Sequence, residues 1–216
     1  MIPLFGFESL KISVEVIPML LAGVLLAPGY CFIIGLAVDW VGLIIAPTSF
    51  PFLGFTLSAV LQTLIPSIIV RNIKDDYSKY LEKVIKVVLV LLAVGACVYV
   101  FSLEQVTISK QVVDITFNIK VFISVLCVIM VSVLFMVMYY YKRKLNNDDY
   151  HLFNKWLISV VLVEMVVTFC LTPYWLQVMY GIPFTLSLFI RVIKECIMIP
   201  VNIILGYTIL RVIKRL

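Results

Sequence analysis

Charge is what this sequence has least of. Of its 216 residues only 13% are charged, 63% are hydrophobic, and the mean hydropathy is +1.15. Soluble domains carry about 25% charged and 45–50% apolar residues. A water-soluble globule of this size is therefore excluded, because so few charges cannot cover that much apolar surface. Disorder is excluded by the same numbers. Paired cysteine spacing is missing too. Cys31, Cys97, Cys127, Cys170 and Cys196 stand singly in apolar runs, so they read as small buried hydrophobes rather than as a disulfide framework or a metal site. There is no Walker Gly-Lys loop, no HExxH and no GxSxG. The sequence thus offers no nucleotide loop of that kind and no catalytic constellation, and the chain reads as a non-enzyme without a cofactor or metal. The one histidine, His151, lies beside Asp148 and Asp149 in a polar stretch and reads as solvated.

What the sequence has in abundance is long runs without charge: Val16 to Val38, Trp40 to Val70, Val87 to Leu103, Val121 to Tyr141 and Met165 to Ile190. A membrane span needs about 20 mostly apolar residues. These runs are continuous rather than alternating, so helices are expected, not barrel strands. Cut at Pro28-Gly29 and at the turn-rich stretch 46–54, they predict segments at about 12–27, 30–46, 55–71, 84–102, 119–141, 156–173 and 187–210. The expected fold is all-α: a polytopic transmembrane bundle of six to seven helices in a single domain, 1–216. Loops are expected at about 1–12, 47–54, 103–118 and 174–186.

The basic residues are sorted to one side of that topology. Arg71, Lys74, Lys79 and Lys83 follow the third segment, Lys142, Arg143, Lys144 and Lys155 follow the fifth, and Arg211, Lys214 and Arg215 end the sequence. The positive-inside rule predicts that this side and the C-terminus are cytoplasmic, in a multi-pass protein of the cell membrane. The net charge of +5 is then an orientation signal in contact with lipid headgroups, and no nucleic-acid partner is needed to explain it.

Charges inside apolar segments are costly unless paired or wetted. Five occur: Asp39, Glu164, Arg191, Lys194 and Glu195. Arg191, Lys194 and Glu195 follow an i, i+3, i+4 spacing that puts them on one helix face, where Arg191 can pair with Glu195. Two cations exceed what one Glu neutralises, so Arg191 and Lys194 are candidates for contact with an anionic solute, against the plainer reading of an internal ion pair. Asp39 has two open partners: Arg191 or Lys194, or the N–H groups of a ligand. Glu164 is open between a proton-coupling residue and a structural pair. Phe50, Phe52, Phe55, Tyr174, Trp175, Tyr180 and Phe184 cluster in the loops opposite the basic side. They read as an interfacial aromatic belt or as a lid that stacks on a flat ligand. Small residues at Ala22, Gly23, Gly35, Gly42, Gly54 and Ser58 predict close helix packing.

Three passages together resemble one family. The first runs from Ile17-Pro18-Met19 through Ala27-Pro28-Gly29 to Gly35, Asp39 and Gly42. The second is Phe52-Leu53-Gly54-Phe55-Thr56-Leu57-Ser58-Ala59. The third holds Thr172-Pro173-Tyr174-Trp175, Tyr180-Gly181-Ile182-Pro183-Phe184, the Arg191-Val192-Ile193-Lys194 tetrapeptide and Ile199-Pro200. They are similar to the substrate-binding (S) component of energy-coupling factor (ECF) vitamin transporters, folate type. The resemblance covers residues 1–71 and 150–216 and treats 80–142 as an inserted helical hairpin. The family's first helix has no counterpart in this sequence, which implies a misplaced start, a truncated chain or a divergent member. The resemblance also implies capture of folate or a related anionic vitamin such as pantothenate, and partnership with a transmembrane coupling subunit and cytoplasmic ATPases. The site residues it implies are Arg191, Lys194, Asp39, Trp175, Tyr174, Phe50, Phe52, Phe55 and Thr56.

Overall fold

The computed structural model describes residues 2–4, 7–12, 16–45, 52–73, 77–108, 111–114 and 116–214. The helices are α1 (Val16–Leu25), α2 (Pro28–Ile45), α3 (Leu53–Asn72), α4 (Ser78–Ser102), α5 (Phe117–Lys144), α6 (Asn147–Val163), α7 (Thr172–Tyr180) and α8 (Phe184–Ile213). A π-helix, Glu164–Leu171, joins α6 to α7 without a break, making one rod from Asn147 to Tyr180. Among the described residues, six helices are long and apolar enough to cross a membrane: α2, α3, α4, α5, this rod and α8. The architecture is that of a multi-pass helical bundle. The first expected segment forms only the ten-residue α1.

The surface fits hydrocarbon rather than water. Ile44 is 78% exposed and Leu91 is 64% exposed, whereas Glu164 and Glu195 are each 2% exposed. Apolar side chains face outward and the charged ones face in, as the lack of water at membrane depth demands.

Three of the predicted loops differ from expectation. Where loops are predicted at 1–12 and 103–118, the backbone forms two short antiparallel hairpins, β1 (Ile2–Leu4) with β2 (Phe7–Ile12) and β3 (Gln105–Ile108) with β4 (Gln111–Asp114). Both hairpins lie at the end of the bundle where α8 begins, since β2 and β3 approach α8. The predicted loop 174–186 is mostly helix. Thr172-Pro173 opens α7 instead of breaking the chain, because proline is accepted in the first helical turn. The connection shrinks to 181–183, where Gly181 (φ 64°) takes the left-handed conformation that closes α7.

Helix α3 is the hub of one half, packing on α1, α2 and α6. A Cβ on Gly35 would lie 2.5 Å from the Val60 Cα, and one on Gly23 would lie 2.4 Å from the Thr63 carbonyl oxygen. Those glycines let the backbones meet. Gly42 faces open space, so its spacing serves no helix contact among the described residues. Ser67 Oγ donates to the Leu26 carbonyl (2.8 Å), and Thr63 Oγ1 donates to that of Cys31 (2.8 Å). The first of these satisfies a carbonyl at the C-terminal end of α1, and the second ties α3 to the first turn of α2. In the other half, α5 packs on α4 and α8. Fully buried Trp156 seats against Gly206 and donates from Nε1 to the Ile203 carbonyl (3.2 Å).

Candidate functional site

Helix α8 carries Ser187, Arg191, Glu195 and Asn202 along one stripe, and all four are buried. An i, i+4, i+8 series keeps one face of an α-helix, and a further seven residues return to it. Opposite lies Glu164, midway along the 34-residue rod Asn147–Tyr180. Its Oε2 accepts from Thr168 Oγ1 (2.6 Å) and its Oε1 from Asn202 Nδ2 (3.1 Å). Arg191 is 5% exposed. Its one hydrogen bond among the described residues runs from Nε to Ser187 Oγ (3.5 Å), and Glu195 lies one turn further along the same stripe. Lys194 approaches Glu195 Oε1 at 3.5 Å. Glu195 Oε2 and Asn202 Oδ1 are buried and have no hydrogen-bond partner among the described residues.

This arrangement revises the charge count made from α8 alone. Glu164 reaches the α8 stripe from the neighbouring rod through Asn202, so a second buried carboxylate stands beside Glu195. The π-helix begins at Glu164 itself. Its wider turns leave the Val167 carbonyl to the Thr172 amide and hydroxyl, the latter at 2.7 Å. Such irregular turns concentrate at functional positions.

The aromatic residues meet at the hairpin end. The Phe52 ring lies 5.7 Å from Phe55 and 5.5 Å from Trp175, edge to face, and Tyr174 lies 5.1 Å from Trp175. Trp175 Nε1 donates to Ser58 Oγ (3.2 Å). A Cβ on Gly54 would collide with both the Phe52 and Trp175 rings, so that glycine makes room for the cluster. Phe50 lies outside the described residues. Tyr180 and Phe184 are not part of these ring contacts.

Asp39 does not pair with Arg191 or Lys194. Its carboxylate accepts from Thr56 Oγ1 at 2.6 Å. The reason is topological: α2 packs on α3 and α1 and so does not bring Asp39 to α8. The predicted site residues thus fall into three groups, which are the aromatic cluster, the Asp39–Thr56 pair, and Arg191 with Lys194.

An apolar cavity of about 380 Å³ lies between α4, α5, the rod and α8, lined by Leu89, Ala96, Met130 and Val192, with Glu195 as its charged wall residue. Cys127 and Cys196 also line it, their sulfurs 3.5 Å apart. The sequence reading of isolated cysteines missed that neighbourhood, because it arises from α5 packing on α8. Ser187, Thr168 and Asn202 were missed as well. The stripe that continues Arg191 and Glu195 to Ser187 and Asn202 was available in the sequence as a helical period.

Among the described residues no group of His, Cys, Asp and Glu could hold a metal ion. No protein family, curated protein or solved structure matches this chain.

Proposed function

We propose that the chain is a membrane-embedded solute-capture subunit of an ECF-type vitamin transporter, taking folate or a related anionic vitamin. The observation that carries this reading is Arg191. It is a buried guanidinium two turns into α8 with a single hydrogen bond among the described residues, so most of its five N–H donors remain for a ligand. Arginine grips carboxylates in bidentate fashion. The open acceptors of Glu195 and Asn202 suit N–H donors on the same ligand. The rings of Phe52, Phe55, Tyr174 and Trp175 offer apolar faces and edges to a flat heterocycle. The Arg191-x-x-Lys194 and Phe55-Thr56-Leu57-Ser58-Ala59 passages supply the family resemblance.

In this reading the basic end of the bundle is cytoplasmic by the positive-inside rule, and the solute enters from the hairpin end outside. The chain hydrolyses nothing. A transmembrane coupling subunit and two ATPases drive uptake. The test is the thermal stability of the purified protein in detergent against folate, 5-formyl-folate, pantothenate, riboflavin and cobalamin. A ligand at 100 times its dissociation constant should add about 2.7 kcal/mol. A shift with folates or pantothenate is the expected result. A flat response to the whole panel contradicts the reading.

One observation favours a second reading. Glu164 sits buried at mid-depth at the start of a π-helix, as a proton-coupling residue in a stand-alone carrier would. Uptake into vesicles containing this chain alone, driven by a pH gradient and lost in Glu164→Gln, would favour it over the subunit reading.

A further inference from the structure

At the basic end, remote in the fold from the Arg191 cluster, a second cavity of about 490 Å³ opens where α4 and α6 begin and α5 ends. Its wall carries Lys83, Lys86, Lys142 and His151 around Glu82. Glu82 is only 8% exposed. Its Oε1 accepts from Lys86 Nζ at 2.7 Å, and its two oxygens accept from Lys142 Nζ at 3.1 and 2.9 Å. One buried carboxylate thus holds ammonium groups from two different helices side by side. Both lysines keep about half of their side-chain surface open, 45% and 56%, and each ammonium retains N–H donors beyond those Glu82 takes. Lys83 is exposed and makes no ion pair among the described residues. His151 lines the same cavity, and its Nδ1 is buried with no hydrogen-bond partner among the described residues.

A purely structural ion pair would have matched charges and no cavity. Here three ammonium groups outnumber the one carboxylate around a space of ligand size. We propose that this cavity binds a phosphate ester, with Lys86 and Lys142, set by Glu82, as the paired cations and with Lys83 and His151 as further contacts. Lysine ammonium groups bind phosphate as point charges. Basic pockets between membrane helices on the cytoplasmic side are suited to anionic headgroups. A phospholipid headgroup and a soluble phosphate monoester share this chemistry. The proposal is independent of the solute reading of Arg191.

The experiment uses the full chain. In the first arm, protein in neutral detergent is offered phosphatidylcholine and phosphatidylglycerol, and retained lipid is counted by native mass spectrometry. In the second, inorganic phosphate and glycerol 3-phosphate are titrated onto protein in phosphatidylcholine nanodiscs, and thermal stability is read. The expected result is at least tenfold preferential retention of phosphatidylglycerol, abolished in Lys142→Gln and reduced in Lys83→Gln. Lys144→Gln, a lysine hydrogen-bonded to Tyr140 on the last turn of α5, should leave it unchanged. Lys83→Gln carries the test if Lys142→Gln fails to fold. Stabilisation by the soluble phosphates alone, with the same dependence on variants, supports the site with a soluble ligand. Absence of selectivity in both arms overturns the proposal, as does an equal loss in Lys144→Gln.

Discussion

Glu82 and Glu164 are both buried carboxylates, and the bundle treats them differently. Glu82 lies near the basic end and is neutralised by two lysines whose ammonium groups reach toward water. Glu164 lies at mid-depth, where no side chain can reach the interface. It is held by a hydroxyl and an amide, those of Thr168 and Asn202. At the interface a long lysine can solvate its charge by extension. In the middle every charge must be answered within the protein. The difference separates a site open to the surroundings from one prepared inside, with unsatisfied acceptors at Glu195 and Asn202.

The sharpest way to break this contrast is to delete one carboxylate from each site. Glu164→Ala leaves the buried Thr168 hydroxyl and Asn202 amide without their acceptor and should cost about 1–3 kcal/mol for each group left unsatisfied. A fall in thermal midpoint in detergent large enough to compromise folding is the expected outcome. Packing comes next in size. Gly35→Ala drives a Cβ into the Val60 backbone and should cost about 1–3 kcal/mol. Gly42→Ala meets nothing and should be neutral or stabilising by up to about 1 kcal/mol. Equal effects from the two glycines in a thermal melt would contradict the α2–α3 contact. The smallest effect belongs to Glu82→Gln, which leaves two solvated lysines and should change stability by no more than about 1 kcal/mol. A loss as large as that of Glu164→Ala would erase the distinction between the sites.

The bundle was legible because membrane spans are written in composition. Six predicted segments correspond to α2, α3, α4, α5, the α6–α7 rod and α8, although the rod, Asn147–Tyr180, extends well beyond the predicted 156–173 at both ends. The hairpins were not legible, since four-residue strands such as Gln105–Ile108 carry too short a pattern to separate from a polar loop. The helix over Thr172–Tyr180 was read as part of a loop, since its aromatic and polar residues carry no long apolar run. In the site, the spacing of Arg191, Lys194 and Glu195 was readable as a helical face. Glu164 and Asn202 as partners were not, since their contact spans 38 residues and depends on how the rod lies against α8. The Asp39–Thr56 pair was hidden for the same reason. Nothing in the local sequence says that α2 packs away from α8.

The most direct measurement is equilibrium binding of the stabilising vitamin to the wild-type chain and to Arg191→Ala and Arg191→Lys, each checked for folding by its unliganded melt. Removing one partner of a buried charge-assisted contact costs about 2–5 kcal/mol, so Arg191→Ala should bind at least about thirtyfold more weakly. Arg191→Lys, which keeps the charge but loses the bidentate fork, should fall between. Wild-type affinity in a folded Arg191→Ala protein would remove Arg191 from the binding site and contradict the account.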